Sequence, residues 1–126
     1  MGSKRSYMKC DICGNFVGMI NDSGVVPECC GQPMRQLVPN TVDAAQEKHV
    51  PEIKRDGNTV TVSVGAVKHP MTPEHYIEWI ALAQGNRTQR VALTPADQPE
   101  AIFNCEAGPV VVYAYCNLHG LWMNEQ

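Results

Sequence analysis

Apolar and polar residues alternate most regularly in the middle of the chain, in the stretch NTVTVSVGAV at 58–67. Val60, Val62 and Val64 are separated by single hydroxyl residues, and a period of two is typical of a strand that buries one face. Shorter β-branched or aromatic runs follow, with glycine-containing turn signals between them. These runs lie at 88–94, 101–105 and 109–116. Several short strands of this kind predict a β-sandwich.

One stretch is ambiguous, namely TPEHYIEWIALAQ at 72–84. Thr72, Pro73 and Glu74 are residue types that begin helices, so the local pattern favours a helix. The same apolar residues also fit a strand that places Ile77 and Trp79 on one face. The pattern alone therefore predicts a helix at 72–84 and leaves a strand as the alternative.

The first 38 residues differ from the remainder of the chain. Four cysteines lie between Cys10 and Cys30, among glycines and prolines that favour turns. This segment has too few apolar residues for a core of its own, and so small a domain usually needs a metal or a partner subunit. Pro39 and Asn40 then favour a turn. We therefore predict two domains, at 1–38 and 39–126.

The composition narrows the possible functions. The chain has 126 residues, of which 44% are hydrophobic and 18% charged, and its net charge is -3. Without a basic stripe, nucleic-acid binding is not expected. There is no apolar run of roughly 20 residues and no secretion signal, so we expect a cytoplasmic protein without a membrane partner. In that compartment six cysteines indicate metal or redox chemistry rather than disulfides.

The four N-terminal cysteines form the first candidate site. Cys10 and Cys13 are a Cys-x-x-Cys pair whose sulfurs can face one ion from a tight turn, and Cys29 and Cys30 are adjacent. Four thiolates suit a tetrahedral zinc or iron site. The adjacent pair departs from the repeated Cys-x-x-Cys of a zinc ribbon, and Gly31 relieves the backbone crowding. The spacing predicts a metal site but leaves zinc and iron open.

The histidines and one further cysteine form the second candidate site. Cys116 and His119 stand three apart in YCNLHG, directly after an apolar run, while His69 and His75 flank a proline-containing turn. His49 is the fourth histidine. Structural zinc closes at four ligands, and catalytic zinc usually takes three from the protein. Four imidazoles and one thiolate, with a sixth position vacant, suit iron better.

The motifs CDICGN, CCG, EKHVP, KHPM, EHYIEWI and YCNLHG follow one another in this order. Together they resemble desulfoferrodoxin, the two-iron class of superoxide reductase. The resemblance extends from about residue 7 to residue 122 and includes every metal-ligand candidate given above. Leu121 stands where relatives often carry histidine. Cys105 matches no ligand and is expected to be a buried apolar residue.

The resemblance implies a role for each candidate residue. An iron in a desulforedoxin-like FeCys4 site would be held by Cys10, Cys13, Cys29 and Cys30. The catalytic iron would be held by four equatorial imidazoles and an axial thiolate, from His49, His69, His75, His119 and Cys116. Glu47 would fill the sixth position in the oxidised state. Lys48 would place a positive charge beside the open face.

The resemblance also implies a fold and a reaction. The family fold is a small metal-bound β domain followed by an immunoglobulin-like β-sandwich, usually as a homodimer, which makes 75–83 a strand. The implied reaction is the one-electron reduction of superoxide to hydrogen peroxide without release of O2, with a rubredoxin-like electron donor. An iron-based electron carrier or a structural metal-binding module is the alternative.

Overall fold

The computed structural model describes residues 4–126. The chain divides into two compact units, Lys4–Val38 and Pro39–Gln126. Regular structure in the described part is almost entirely β, which confirms the predicted all-β class. No helix in this range is long and apolar enough to cross a membrane.

The unit at Lys4–Val38 contains five short strands. They are β1 (Ser6–Lys9), β2 (Phe16–Met19), β3 (Glu28–Cys29), β4 (Gln32–Pro33) and β5 (Arg35–Leu37). A three-stranded sheet has the order β2-β1-β5, and β3 and β4 form a hairpin. The small core is built on Met8, Cys10 and Met34. One of the predicted metal-binding cysteines is thus also part of this core.

The unit at Pro39–Gln126 contains one short helix and seven strands. They are α1 (Gln46–His49), β6 (Pro51–Asp56), β7 (Thr59–Val64), β8 (Ile77–Gln84), β9 (Arg87–Ala92), β10 (Glu100–Asn104), β11 (Val111–Cys116) and β12 (Gly120–Glu125). Two antiparallel sheets have the orders β10-β7-β6 and β12-β11-β8-β9. Strand β7 buries one face, as its alternating sequence predicted, since Val60, Val62 and Val64 are buried.

The core of this unit lies between the two sheets. Side chains of β7 and β10 contribute from one sheet, and side chains of β8 and β11 contribute from the other. Cys105 belongs to this core, as expected from the sequence, and so does Cys116, the last residue of β11. Packing of two sheets through alternating inward residues is the sandwich arrangement that the sequence predicted.

The helix that the local pattern favoured at 72–84 is wrong, and the strand that the resemblance implied at 75–83 is confirmed as β8. Thr72 and His75 instead pair through two backbone hydrogen bonds of 3.0 and 3.1 Å, so the Thr-Pro-Glu signature closes a tight turn. Proline suits the first central position of such a turn as well as the start of a helix. Strand β8 then follows, and Trp79, Ile80 and residues 81–83 are buried on both of its faces. A strand buried on both sides loses the alternation that would have identified it.

The register of the sheets gathers four chain segments at one edge of this unit. Val64, the last residue of β7, pairs with Pro51, the first residue of β6. In the other sheet Cys116, the last residue of β11, pairs with Ile77, the first residue of β8. The segments that leave or enter these strands carry all four histidines, with His49 on α1.

The core between the sheets can be tested with two isoleucines. Ile80 is fully buried, whereas Ile102 on β10 is 68% exposed. We expect Ile80→Ala to lower the free energy of unfolding by about 2–5 kcal/mol, because it leaves a cavity in the core. Ile102→Ala should change it by less than about 0.5 kcal/mol. Urea unfolding of both variants in the same metal-loaded state measures the difference, and equal losses would contradict the assigned core.

Candidate metal centres

Two groups of side chains among residues 4–126 have ligand atoms close enough to hold a metal ion. The first, the four-cysteine site, consists of Cys10, Cys13, Cys29 and Cys30. The second contains His49, His75, Cys116 and His119. Within each group the ligand atoms all lie within 4.8 Å of one another. The sequence predicted both groups, with His69 in addition in the second.

The four sulfurs of the four-cysteine site have the spacing of a tetrahedral metal site. Cys13 Sγ lies 3.6 Å from Cys29 Sγ, and Cys29 Sγ lies 4.0 Å from Cys30 Sγ. Metal–sulfur bonds of about 2.3 Å in a tetrahedron place sulfurs about 3.8 Å apart. A disulfide needs about 2.05 Å, and all the cysteines are free thiols. Cys30 has φ +54°, and Gly31 after it has φ +79°, so the adjacent pair requires left-handed backbone.

Without a metal, the thiols of the four-cysteine site differ in how readily they ionise. The backbone N–H of Cys13 lowers the pKa of Cys10 to about 6. Hydrogen bonding with Cys13 and Cys10 raises the pKa of Cys30 to about 12, and the same two neighbours raise the pKa of Cys29. The thiolate of Cys10 therefore forms readily, while Cys29 and Cys30 keep their protons at neutral pH. Binding of a metal would release the protons of Cys29 and Cys30.

The four imidazoles stand at the corners of a square. Ring centroids are separated by 4.7 Å for His49–His69, 4.7 Å for His69–His75, 5.0 Å for His75–His119 and 4.8 Å for His119–His49. Neighbouring rings lie at 74–82° to each other. The His49–His75 diagonal is longer, at 6.4 Å. Cys116 Sγ lies 3.8 Å from Nδ1 of His119, so the thiol adds a fifth donor to this arrangement, the His4Cys site.

Hydrogen bonds determine which ring nitrogen of His49 and His69 is left to bind a metal. His49 donates through Nδ1 to the carbonyl of Ala45 at 2.7 Å, and His69 does the same to the carbonyl of Pro70 at 2.7 Å. Both rings are thereby held in the tautomer whose Nε2 carries the lone pair. Nε2 of His49 lies 3.1 Å from Nδ1 of His119.

Two buried nitrogens show that a metal ion fits this site. Nε2 of His69 and Nε2 of His75 are buried and have no hydrogen-bond partner. An unpaired buried polar atom is costly, and native proteins seldom keep one without a function. A metal ion within the square would satisfy both nitrogens. The Nε2 atom of His69 does not fall in the group within 4.8 Å, although its ring borders the rings of His49 and His75.

Burial keeps three of the imidazoles ready to bind a cation. Loss of solvent lowers the pKa of His69 to about 4, and it also lowers the pKa of His49 and of His75. These rings are therefore neutral near pH 7, as metal ligands must be. Burial raises the pKa of the Cys116 thiol. The metal-free thiol is thus protonated at neutral pH, and binding of a metal would release that proton.

Glu47 and Lys48 lie on α1, directly before His49. His49 is 2% exposed, whereas the side chains of Glu47 and Lys48 are exposed. The short helix therefore turns its histidine inward and leaves both charges at the surface. The positive charge of Lys48 contributes to the lowered pKa of both His49 and His75, which places it within electrostatic reach of two corners of the square.

Asn117 holds His75 in place, a role that the sequence analysis missed. Its Oδ1 accepts from the backbone N–H of Tyr76 at 3.0 Å, and its Nδ2 donates to the carbonyl of Glu74 at 3.0 Å. The two bonds bracket His75 on both sides. The sequence did contain a signal for this role, because Asn117 lies between the two ligands Cys116 and His119 in the motif YCNLHG.

Trp122 and Gly65 are two further supporting residues that the sequence did not reveal. The Trp122 ring stacks on His49 at 5.0 Å and 25°, and its Nε1 donates to the carbonyl of His119 at 3.0 Å. Gly65 packs against the backbone of α1, where an added Cβ would lie 2.7 Å from the carbonyl oxygen of Glu47. The N–H of Val67 donates to that same oxygen at 2.7 Å. The loop that carries His69 therefore also braces the turn that carries His49.

Replacement of Asn117 tests this support. We expect Asn117→Ala to weaken iron binding at the His4Cys site by about 10- to 100-fold, because the segment around His75 loses both hydrogen bonds from Asn117. The four-cysteine site should keep its metal. Asn86→Ala, in an exposed turn, is the matched control and should bind as the unmodified protein does. Metal titration with a competing chelator measures the affinity of each variant. If Asn117→Ala binds iron as tightly as the unmodified protein does, Asn117 does not support the site.

Comparison with known proteins shows the family to which the chain belongs. Residues 41–125 match the family model described as desulfoferrodoxin. A desulfoferrodoxin of Syntrophotalea carbinolica is 46% identical over 99% of both chains, and one of Clostridium acetobutylicum is 53% identical over 86% of both. The crystal structure of the superoxide reductase from Treponema pallidum covers 96% of this chain and 98% of its own, with a TM-score of 0.78 and 36% identity. The chain belongs to the desulfoferrodoxin family, which binds two iron centres.

Proposed function

We propose that this protein is a superoxide reductase, which reduces superoxide to hydrogen peroxide at iron held by the His4Cys site without producing O2. The observation that carries the proposal is the square of four imidazoles with one thiol beside it. Such a donor set supplies five ligands to an ion that accepts six. Relatives named superoxide reductase support the same activity.

The charges around the site suit a small anion. Neutral imidazoles and a single thiolate leave a net positive charge on a ferrous ion, and Lys48 adds another at the surface. The protein as a whole carries a net charge of -3, which would repel an anion at long range. Charges beside a cleft dominate at short range, so the local field would still draw superoxide toward the square.

The reaction needs one electron and two protons for each superoxide. When bound, the iron supplies the electron. Lys48 is exposed on α1 beside His49, so its ammonium group, directly or through water, is our candidate for guiding the first proton to the reduced anion. Protonation at this point favours release of peroxide with its O–O bond intact.

Glu47 is our candidate for the residue that assists the last step, the release of peroxide. It is exposed on the same turn as Lys48, and its negative charge offsets a small part of the lowering of the His49 pKa by burial, so its carboxylate also lies within electrostatic reach of the square. A carboxylate is a hard ligand that suits the oxidised ion better than the reduced one. Glu47 would fill the sixth position after turnover and help to expel peroxide.

The remaining parts of the functional assignment are predictions from the sequence. They comprise a rubredoxin-like electron donor, a homodimer and a cytoplasmic location. We also propose that 1–38 acts as a desulforedoxin-like domain and 39–126 as the catalytic domain. The four-cysteine site would either relay electrons to the second site or stabilise its small domain.

Two other functions use the same side chains. A structural module would close each site at four ligands, and the group of His49, His75, Cys116 and His119 is of that size. The buried, unpartnered Nε2 of His69 argues against it, because a four-ligand site would leave that atom unsatisfied. An electron carrier would not need Lys48 and Glu47 at the surface beside the square.

The stoichiometry of a single turnover distinguishes these functions. We would mix pre-reduced, iron-loaded protein with less superoxide than iron, and measure peroxide and O2. A reductase yields one peroxide for each superoxide and no O2. The zinc-loaded protein is the control, and superoxide should there disproportionate into peroxide and O2 in equal amounts. The same equal amounts from the iron-loaded protein would contradict the proposal.

The role of Lys48 predicts a slower and less salt-dependent reaction in Lys48→Ile. We expect the second-order rate constant for superoxide to fall by about tenfold, because an attractive charge at the site is lost. The rate should also respond less to added salt, since less attraction remains to be screened. Lys54→Ile, on the exposed face of β6, is the matched control and should keep the original rate. Pulse radiolysis measures both, and an unchanged rate in Lys48→Ile would exclude Lys48 from the mechanism.

A further inference from the structure

Three sulfurs of the four-cysteine site accept hydrogen bonds from N–H groups. The backbone N–H of Cys13 donates to Cys10 Sγ at 3.4 Å, and the backbone N–H of Asn15 donates to Cys13 Sγ at 3.5 Å. The third donor is a side chain, because Asn15 Nδ2 lies 3.6 Å from Cys29 Sγ. Asn15 therefore contacts two of the four ligands, and only one of these contacts depends on its side chain.

The backbone of Asn15 is fixed independently of its amide group. The N–H of Cys10 donates to the carbonyl of Asn15 at 2.8 Å, and the N–H of Gly14 donates to the carbonyl of Cys10 at 3.0 Å. Gly14, with φ +84°, completes the turn. Because these bonds close the turn, the side chain of Asn15 is not needed for it. Its amide instead reaches across the site to a cysteine on β3.

We propose that the Asn15 side chain raises the reduction potential of the iron in the four-cysteine site. Four thiolates around ferric iron carry one net negative charge, and around ferrous iron they carry two. An N–H donor to a thiolate stabilises the more negative state to a greater extent. Hydrogen bonds to the sulfurs are among the factors that set the potentials of such centres. Asn15 thus acts on electron transfer at this site and not on the binding of substrate.

Asn15 therefore controls how readily the iron of the four-cysteine site accepts an electron. Asn15 is exposed, so it can be changed without disturbing the small core around Met8 and Met34. The inference concerns the potential of the iron in the four-cysteine site alone. It does not depend on the assignment of superoxide as the substrate of the other site, and superoxide kinetics are not part of its test.

The test is a spectroelectrochemical titration of the iron-loaded protein in three forms: unmodified, Asn15→Leu and Asn21→Leu. Leucine is close to asparagine in size but cannot donate a hydrogen bond. We expect a lower midpoint potential at the four-cysteine site in Asn15→Leu. At the potential where half the sites of the unmodified protein are reduced, most sites of this variant should be oxidised. Asn21→Leu makes the same change at another exposed position of the unit and should leave the potential unaltered.

Asn15→Ala provides a second variant, in case leucine disturbs loading with iron. It removes the amide without adding bulk and should lower the potential in the same direction. A potential equal to that of the unmodified protein in either iron-loaded variant would overturn the proposal. Loss of iron from the four-cysteine site in both variants would overturn it as well, because Asn15 would then be required to build the site rather than to set its potential.

Discussion

The metal centre of the larger unit depends on one constraint, the burial of imidazole nitrogens that have no protein partner. His69 and His75 each direct an unsatisfied Nε2 into a buried space, and burial lowers the pKa of both. Protonation cannot relieve this cost near neutral pH, and no hydrogen bond in the described part of the chain does so. A metal ion would relieve it. The ends of four strands, the contacts of Gly65 and Val67 with α1 and the hydrogen bonds of Asn117 all serve to place these histidines at one edge of the unit.

Locally encoded features were predictable from the sequence. The alternation of Val60, Val62 and Val64 gave a half-buried strand, because a period of two requires no knowledge of distant residues. The pairs Cys10–Cys13 and Cys116–His119 could also be recognised from local sequence. A spacing of three residues lets a turn place both ligands of a pair on the same side. The order of the motifs then indicated the family, and the comparisons agree with it.

Other features depend on tertiary contacts and could not be read from local pattern. The stretch at 72–84 has a helix-start signature, yet its burial on both faces and the clamp on Glu74 and Tyr76 by Asn117 make it a turn and a strand. The stacking of Trp122 on His49 joins residues far apart in sequence. The need for glycine at position 65 arises only because the backbone of α1 packs there.

The central claim is that His69 completes a five-ligand site and leaves a sixth position for an anion. An iron-edge anomalous diffraction experiment on crystals of the reduced, iron-loaded protein tests it most directly. The account predicts one iron bonded to all four imidazoles and to Cys116 Sγ, with one side of the ion free of protein ligands. An ion held in a closed tetrahedron by His49, His75, Cys116 and His119, with Nε2 of His69 outside bonding distance, would contradict it.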